Sequence, residues 1–170
     1  MNTSAIKLRA LEPEDLDTLY VVENDKRLWT VGITNEPYSR HLLRHFIATQ
    51  TGDIYADRQV RLMIENAAGT VVGMADITDF NPQHRRADVG IVILPDHRRQ
   101  GYATETLVRL TRYAADTLHI HQLNACVAAD NAPSVALFTK AGFRQAARLI
   151  DWLYDGTRYH DALLMQWVAS

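Results

Sequence analysis

Apolar residues recur along this chain with two different spacings, and the switches between them divide it into strands and helices. Ile6, Leu8 and Ala10 alternate with Lys7 and Arg9, the two-residue period of a strand with one buried face. Leu16, Leu19, Tyr20 and Glu23 then repeat at helical spacing, behind Pro13 in a first turn and Glu14 and Asp15 at the positive end of the helix dipole. Over 24–38 no period persists, and Trp29, Gly32 and Pro37 among charges read as an ordered loop with a short turn. Ser39 suits the cap of a second helix, striped by Leu42, Leu43, Phe46 and Ile47 and stopped at Gly52.

Val60, Leu62 and Ile64 restore alternation, Ala67-Ala68-Gly69 turns the chain, and 70–80 reads as a longer strand, together an antiparallel hairpin. A polar turn at 81–86 leads into the apolar run Val89 to Leu94, so three consecutive strands build the middle of a sheet. Ala103, Leu107, Leu110, Ala114 and Leu118 then mark one face of a helix, and 122–128 returns as a strand parallel to the central one across that helical crossover. Asn131 and Pro133 open a further helix that Gly142 ends. Phe143 starts the next strand, and 150–154, the Asp155-Gly156 turn and 159–168 form a closing hairpin. The fold class is α/β, and no repeat or linker divides residues 1–170 into more than one domain.

Composition adds exclusions. With 47% hydrophobic and 22% charged residues the chain resembles an ordinary globular protein, and a net charge of -2 supplies no bulk attraction to nucleic acid or to a membrane surface. A lone Cys126 forms no internal disulfide, and neither an apolar leader nor a membrane-length run is present, so a cytoplasmic protein is expected. Cys126 falls in an alternating strand and is expected to behave as a small buried hydrophobe. His41 and His45, and His119 and His121, lack a third ligand at suitable spacing, so no metal is expected.

The chemistry concentrates where the central strand runs into Pro95-Asp96-His97-Arg98-Arg99-Gln100-Gly101-Tyr102-Ala103-Thr104. A glycine-bearing turn that opens a helix is an anion cradle: the backbone approaches closely, the first helical N–H groups are unpaired, and the dipole is positive there. Arg98-x-x-Gly101-x-Ala103 resembles the acyl-coenzyme A signature Q/R-x-x-G-x-G/A of the GNAT superfamily of N-acetyltransferases. Asn131-x-x-Ser134-x-x-Leu137-Phe138-x-x-x-Gly142-Phe143 is similar to a second GNAT motif, N-x-x-[SA]-x-x-[LI]-[YF]-x-x-x-G-F, and the resemblance runs from about Ile6 to about Met165.

That resemblance implies a GNAT fold, a mixed, mostly antiparallel sheet with flanking helices whose parallel strand pair splays to admit the pantetheine arm of acetyl-CoA. It implies cofactor contacts from the backbone of Ile91, Val92 and Ile93, from Arg98, Arg99, Gln100, Gly101, Tyr102, Ala103 and Thr104, and from Asn131, Ser134, Phe138 and Lys140. The implied reaction is direct attack of a neutral amine on the thioester, with a backbone N–H of the central strand holding the oxyanion. Asp88 stands where many members carry a glutamate base, and Trp29, Glu36 and Tyr38 fall where the first helices flank the acceptor. Phe138 replaces a tyrosine that often protonates the leaving thiolate, which makes Tyr159 a candidate for that task.

Charge is uneven, acidic in the first third and basic mid-chain, as a cationic acceptor and the phosphates of coenzyme A would require. Ile6-Lys7-Leu8-Arg9-Ala10-Leu11-Glu12, Asn35-Glu36-Pro37-Tyr38 and His84-Arg85-Arg86-Ala87-Asp88 look most like spermidine N-acetyltransferases, which implies a polyamine acceptor and a homo-oligomer. Two alternatives stand beside it: acetylation of a protein N-terminus or another small amine, and a non-catalytic acyl-CoA-binding regulatory module.

Overall fold

The structure, a computed structural model, describes residues 5–29 and 36–170. The described elements in chain order are β1 (Ile6–Ala10), α1 (Leu16–Glu23), α2 (Lys26–Trp29), α3 (Arg40–Thr49), α4 (Ile54–Asp57), β2 (Val60–Asn66), β3 (Val71–Asn81), β4 (Arg86–Ile93), α5 (Tyr102–Asp116), β5 (Gln122–Ala128), α6 (Ala132–Lys140), β6 (Arg144–Tyr154) and β7 (Tyr159–Val168). The seven strands form one sheet in the order β1-β2-β3-β4-β5-β7-β6, with β4–β5 its parallel pair and the other pairs antiparallel. α5 supplies the crossover between the two parallel strands, as the step-four periodicity of its apolar face requires.

Two apolar clusters sandwich the sheet. On one face Leu107, Leu110 and Ala114 of α5 and Phe138 of α6 pack on Ala87, Val89, Leu123, Ala125 and Val127. On the other, Leu19 and Val22 of α1 and Leu43 of α3 pack on Met63 and Met74. The second cluster contains no residue of β5, β6 or β7, so among the described residues helices cover that half of the sheet on one face only. Residues alternate between the faces along β4: Ala87 and Val89 point into the first cluster, which turns Asp88 and Gly90 to the other side.

Local chemistry explains the helix starts. Ser39 Oγ accepts the Leu42 N–H at 3.1 Å and Asn131 Oδ1 accepts the Ser134 N–H at 3.2 Å, each satisfying one orphan donor. Helix α3 stops at Thr49, three residues before Gly52. Two short helices were not legible: α2 falls within the stretch that lacks a period, and α4 is capped by Asp53, whose Oδ1 accepts the Tyr55 N–H at 2.9 Å.

Two burial expectations are corrected. Leu42 is 48% exposed, because α3 covers a narrower strip of sheet than its apolar stripe. Cys126 is also exposed: it points away from the first cluster, onto the face of β5 that no helix of the second cluster reaches.

Candidate active site

The two edges of β4 are built differently. Toward β3 the pairing runs from Arg86 to Ile93, and the Leu94 N–H still donates to Val72 O at 2.9 Å. Toward β5 it covers only Arg86↔Gln122, Ala87↔Leu123 and Asp88↔Asn124, although both strands continue for several residues. Each strand follows its other neighbour: β5 stays bonded to β7 through Ala128, and β4 is drawn tightly onto β3 at Gly73, where an added Cβ would stand 2.2 Å from Val92 O.

Successive peptide groups of a strand point to opposite sides. With Leu94 facing β3, Val92 and Gly90 face it too; the Val89 N–H is used by the Asp88↔Asn124 pair, and Ile91 and Ile93 turn their main chain to the gap. Of the three strand residues expected to bind pantetheine, Ile91 and Ile93 thus offer main chain to the opening and Val92 does not. The Ile93 carbonyl accepts the Arg98 Nε–H at 3.0 Å.

At the open end of the gap, Arg99 and Gly101 adopt left-handed backbone, with φ of 59° and 85°. Such turns direct neighbouring N–H groups toward a common point. Gly101 is the N-cap of α5 and supplies no side chain to it; the first bond of the helix is Glu105 N–H to Gly101 O at 3.2 Å. The N–H groups of Tyr102, Ala103 and Thr104 therefore have no acceptor within the helix, and together with its dipole they form a site for a phosphate. Gln100 Nε2–H is turned back to Asp96 O at 3.2 Å, so its side chain braces the turn.

At the closed end stands Asp88. It stands opposite Asn124 of β5, and it makes no ion pair among the described residues. Crowding by protein atoms, then the nearby negative charge of Asp79, raise its pKa above the ordinary carboxylate range, while Arg86 and Asn124 work against the rise. A carboxylate so placed is a better proton acceptor than an ordinary aspartate.

The remaining expected site residues are dispersed. Asn131 and Ser134 form the α6 cap, and Lys140 is exposed in its last turn. Phe138 is buried, its ring edge-on to Phe143 at 5.1 Å between centroids. Glu36 is exposed, and the Tyr38 backbone is bound in both directions by the Asn24 side chain. Trp29 ends α2, and its side chain, with residues 30–35, lies outside the described residues.

Tyr159 is not brought to Asp88. Asn124, the partner of Asp88, stands opposite Gln166, and Tyr159 lies seven residues further along β7, about 23 Å at strand spacing. It stacks instead on Tyr154, 63% exposed. Nor do the acidic residues of the first third gather as a free cluster: Asp15 pairs with Arg9, Asp17 with Arg40, Glu23 with Arg61 and Asp25 with Arg27.

A pyrophosphate-sized set of free amides, an open strand edge and a carboxylate at its closed end suit an acyl thioester carried on a nucleotide. Comparison with known proteins agrees: the acetyltransferase (GNAT) domain family matches residues 5–144. The chain belongs to the GNAT family. Spermidine N(1)-acetyltransferase of Vibrio cholerae serotype O1 is 26% identical over 162 residues, 95% of this chain and 92% of that protein. The crystal structure of a Vibrio cholerae spermidine N-acetyltransferase in complex with CoA and spermine superposes with a TM-score of 0.85 at 27% identity, covering 96% of this chain and 95% of that one. A dodecameric structure of the Vibrio cholerae enzyme gives 0.82, also at 27% identity, covering 96% and 93%.

As a GNAT N-acetyltransferase the protein uses acetyl-CoA, and the free amides of Tyr102, Ala103 and Thr104 with the open edge at Ile91 fit that molecule. Sequence reasoning passed over Asn124, which the register sets opposite Asp88, and Asp79, whose charge acts on it. The only sequence signal for Asn124 is its phase in the β5 alternation.

Proposed function

We propose that this acetyltransferase moves the acetyl group of acetyl-CoA to a primary amine of a polyamine such as spermidine. The observation that carries the reading is the parting of β4 and β5 immediately after Asp88, which puts a carboxylate at the inner end of an opening whose outer end is an anion cradle. The named activity of the relatives supports a polyamine as acceptor.

An aliphatic amine with a pKa of about 10 is almost wholly protonated at neutral pH, so a proton must leave before the nitrogen can attack. Asp88 takes it, directly or through one water, and its raised pKa assists. The Ile91 N–H, free of β5, donates to the carbonyl oxygen as that atom gains charge. The amine nitrogen bonds to the acyl carbon and sheds its extra proton to water, the carbon–sulfur bond breaks, and coenzyme A leaves as a thiolate that water protonates, since Phe138 carries no exchangeable proton and Tyr159 is remote. By the same likeness the working form is a homo-oligomer, as in the dodecameric relative, and an unpaired cysteine suits a reducing cytoplasm.

Release of coenzyme A thiol, followed with a panel of polyamines, aminoglycosides and peptides, tests this. Polyamines should give the highest kcat/KM, and Asp88→Asn should lower kcat by about 10²- to 10⁴-fold while coenzyme A affinity holds. Peptides as the preferred acceptors would replace the polyamine reading, and an unchanged kcat in the variant would remove Asp88 from proton transfer.

A further inference from the structure

The Ile93 carbonyl lies at the outer end of the gap on the β4 side, and among the described residues no main-chain N–H reaches it. The Leu94 N–H of the same peptide is committed to Val72 O of β3, which turns the carbonyl toward β5. Continuing the parallel register past Asp88↔Asn124 sets Ala129 level with Ile93, but the Ala129 N–H is drawn the other way, onto Asp161 O at 2.9 Å. A side chain fills the place instead. Arg98 Nε–H donates to Ile93 O at 3.0 Å, from the side on which an adjacent strand, or a ligand lying along β4 as a strand would, has to present its own N–H.

Arg98 is fixed at its root and not at its tip. Its backbone N–H donates to Pro95 O at 3.3 Å, and its φ of -70° and ψ of 161° are those of relaxed extended chain, so the turn need not move when the side chain does. The residue is exposed, and beyond Nε its guanidinium makes no ion pair among the described residues. Gln100 of the same turn is also folded back, but onto Asp96 O, a carbonyl of the turn and not of the gap.

Two kinds of acyl donor meet this arrangement differently. A bare pantetheine thioester that takes the Ile93 carbonyl displaces a charged donor and leaves the guanidinium with no replacement partner. Coenzyme A brings a pyrophosphate to the amides of Tyr102, Ala103 and Thr104, at the far end of the turn that begins with Arg98, and a guanidinium binds phosphate more strongly than it binds a neutral carbonyl.

Resting on the acetyl-CoA site above and not on the identity of the acceptor amine, we infer that Arg98 is an internal competitor for the donor cleft. It occupies the Ile93 carbonyl until a phosphate draws it away, and so makes the enzyme select nucleotide-borne thioesters over bare pantetheine ones. The exchange is of one hydrogen bond for another. Arg98 Nε–H leaves Ile93 O, an amide N–H of the pantetheine arm takes its place, and the guanidinium pairs with phosphate oxygen. Selection then comes from a contact that disfavours the wrong ligand as well as from one that favours the right one.

Calorimetry with coenzyme A and with pantetheine, which lacks the nucleotide, tests this without any acceptor. Arg98→Ala should bind pantetheine about two- to ten-fold more tightly than wild type and coenzyme A about three- to thirty-fold more weakly, with a melting temperature near that of wild type because the lost bond is exposed. The two shifts run in opposite directions, which neither a phosphate contact alone nor general damage to the cleft produces. Arg98→Lys, which keeps the charge without the Nε–H, should retain the tighter pantetheine binding and recover part of the affinity for coenzyme A. In a crystal structure of the coenzyme A complex the Arg98 guanidinium should stand away from Ile93 O and against a phosphate. Pantetheine affinity that is unchanged or weaker in Arg98→Ala, or an Arg98 bond to Ile93 O that persists with coenzyme A bound, would overturn the inference and leave the acetyl-CoA site standing. Failure of the wild-type protein to bind coenzyme A would remove that site and the inference together.

Discussion

Along β4 the edge facing β3 is bonded from Arg86 to Leu94, whereas the edge facing β5 is bonded only to Asp88. The same residues therefore do two jobs with alternate peptide groups. Gly90, Val92 and Leu94 hold the sheet together, and Ile91 and Ile93 keep main-chain donors and acceptors available to a ligand. An open strand edge inside a sheet is costly unless something pairs with it, since buried peptide groups require partners. In this protein the cost is limited by Arg98, which covers the Ile93 carbonyl, and by the opening itself, which admits water or the pantetheine amides.

Proline substitution separates the two edges most sharply. Val92→Pro removes a donor from the β3 side and sets a ring against a strand that already approaches closely at Gly73, so it should cost about 3 kcal/mol or more, with a melting temperature well below wild type. Ile91→Pro deletes a donor that no strand uses and follows a glycine that tolerates it; the fold should survive with a much smaller loss of stability while turnover collapses. Equal destabilisation by the two would contradict the asymmetry.

Smaller in effect is Gly101→Val, which forces a β-branched residue into left-handed backbone and places its side chain at the cradle. Coenzyme A affinity should fall by roughly thirty- to one-hundred-fold by calorimetry, for about 2–3 kcal/mol of lost binding and strain. The smallest effect is electrostatic. Asp88 accepts a proton only when ionised, so activity falls as pH drops through its pKa, and the Asp79 charge raises that pKa. Asp79→Asn, at a left-handed position that asparagine tolerates, should move the acid limb of the kcat/KM profile to lower pH and leave the plateau alone. A shift to higher pH would contradict the electrostatic account.

The comparison also marks how far the sequence could be read. Most strands and the four longer helices follow from period and capping residues, because those signals are local, although β6 runs unbroken from Arg144 to Tyr154 where the sequence reads a strand from Phe143 and another over 150–154. The cradle was legible for the same reason: Gly101 and the helix behind it are contiguous. The opening was not, since nothing in Val89 to Ile93 records that β5 leaves β4 after Asn124; that depends on β7 being inserted between β5 and β6, a property of the whole sheet. Cys126 illustrates the limit, for its alternation predicts two faces but not that one of them lacks a helix. Asp15 shows it again. Its place in an acidic run suggested a free charge, yet Arg9, six positions earlier in the chain, closes on it with bonds of 2.7 and 2.8 Å, and Glu65 completes the network from a distant strand. Phe138 matches a motif position by sequence, while its ring belongs to the core.

Amide hydrogen exchange resolved by residue, with and without saturating coenzyme A, addresses the central claim most directly. The Ile91 N–H and those of Tyr102, Ala103 and Thr104 should exchange quickly in the free protein and become protected on binding, while Val92 and Leu94 stay slow in both states. Ile91 already as slow as Val92 in the free protein, or no added protection at these four amides with coenzyme A bound, would contradict it.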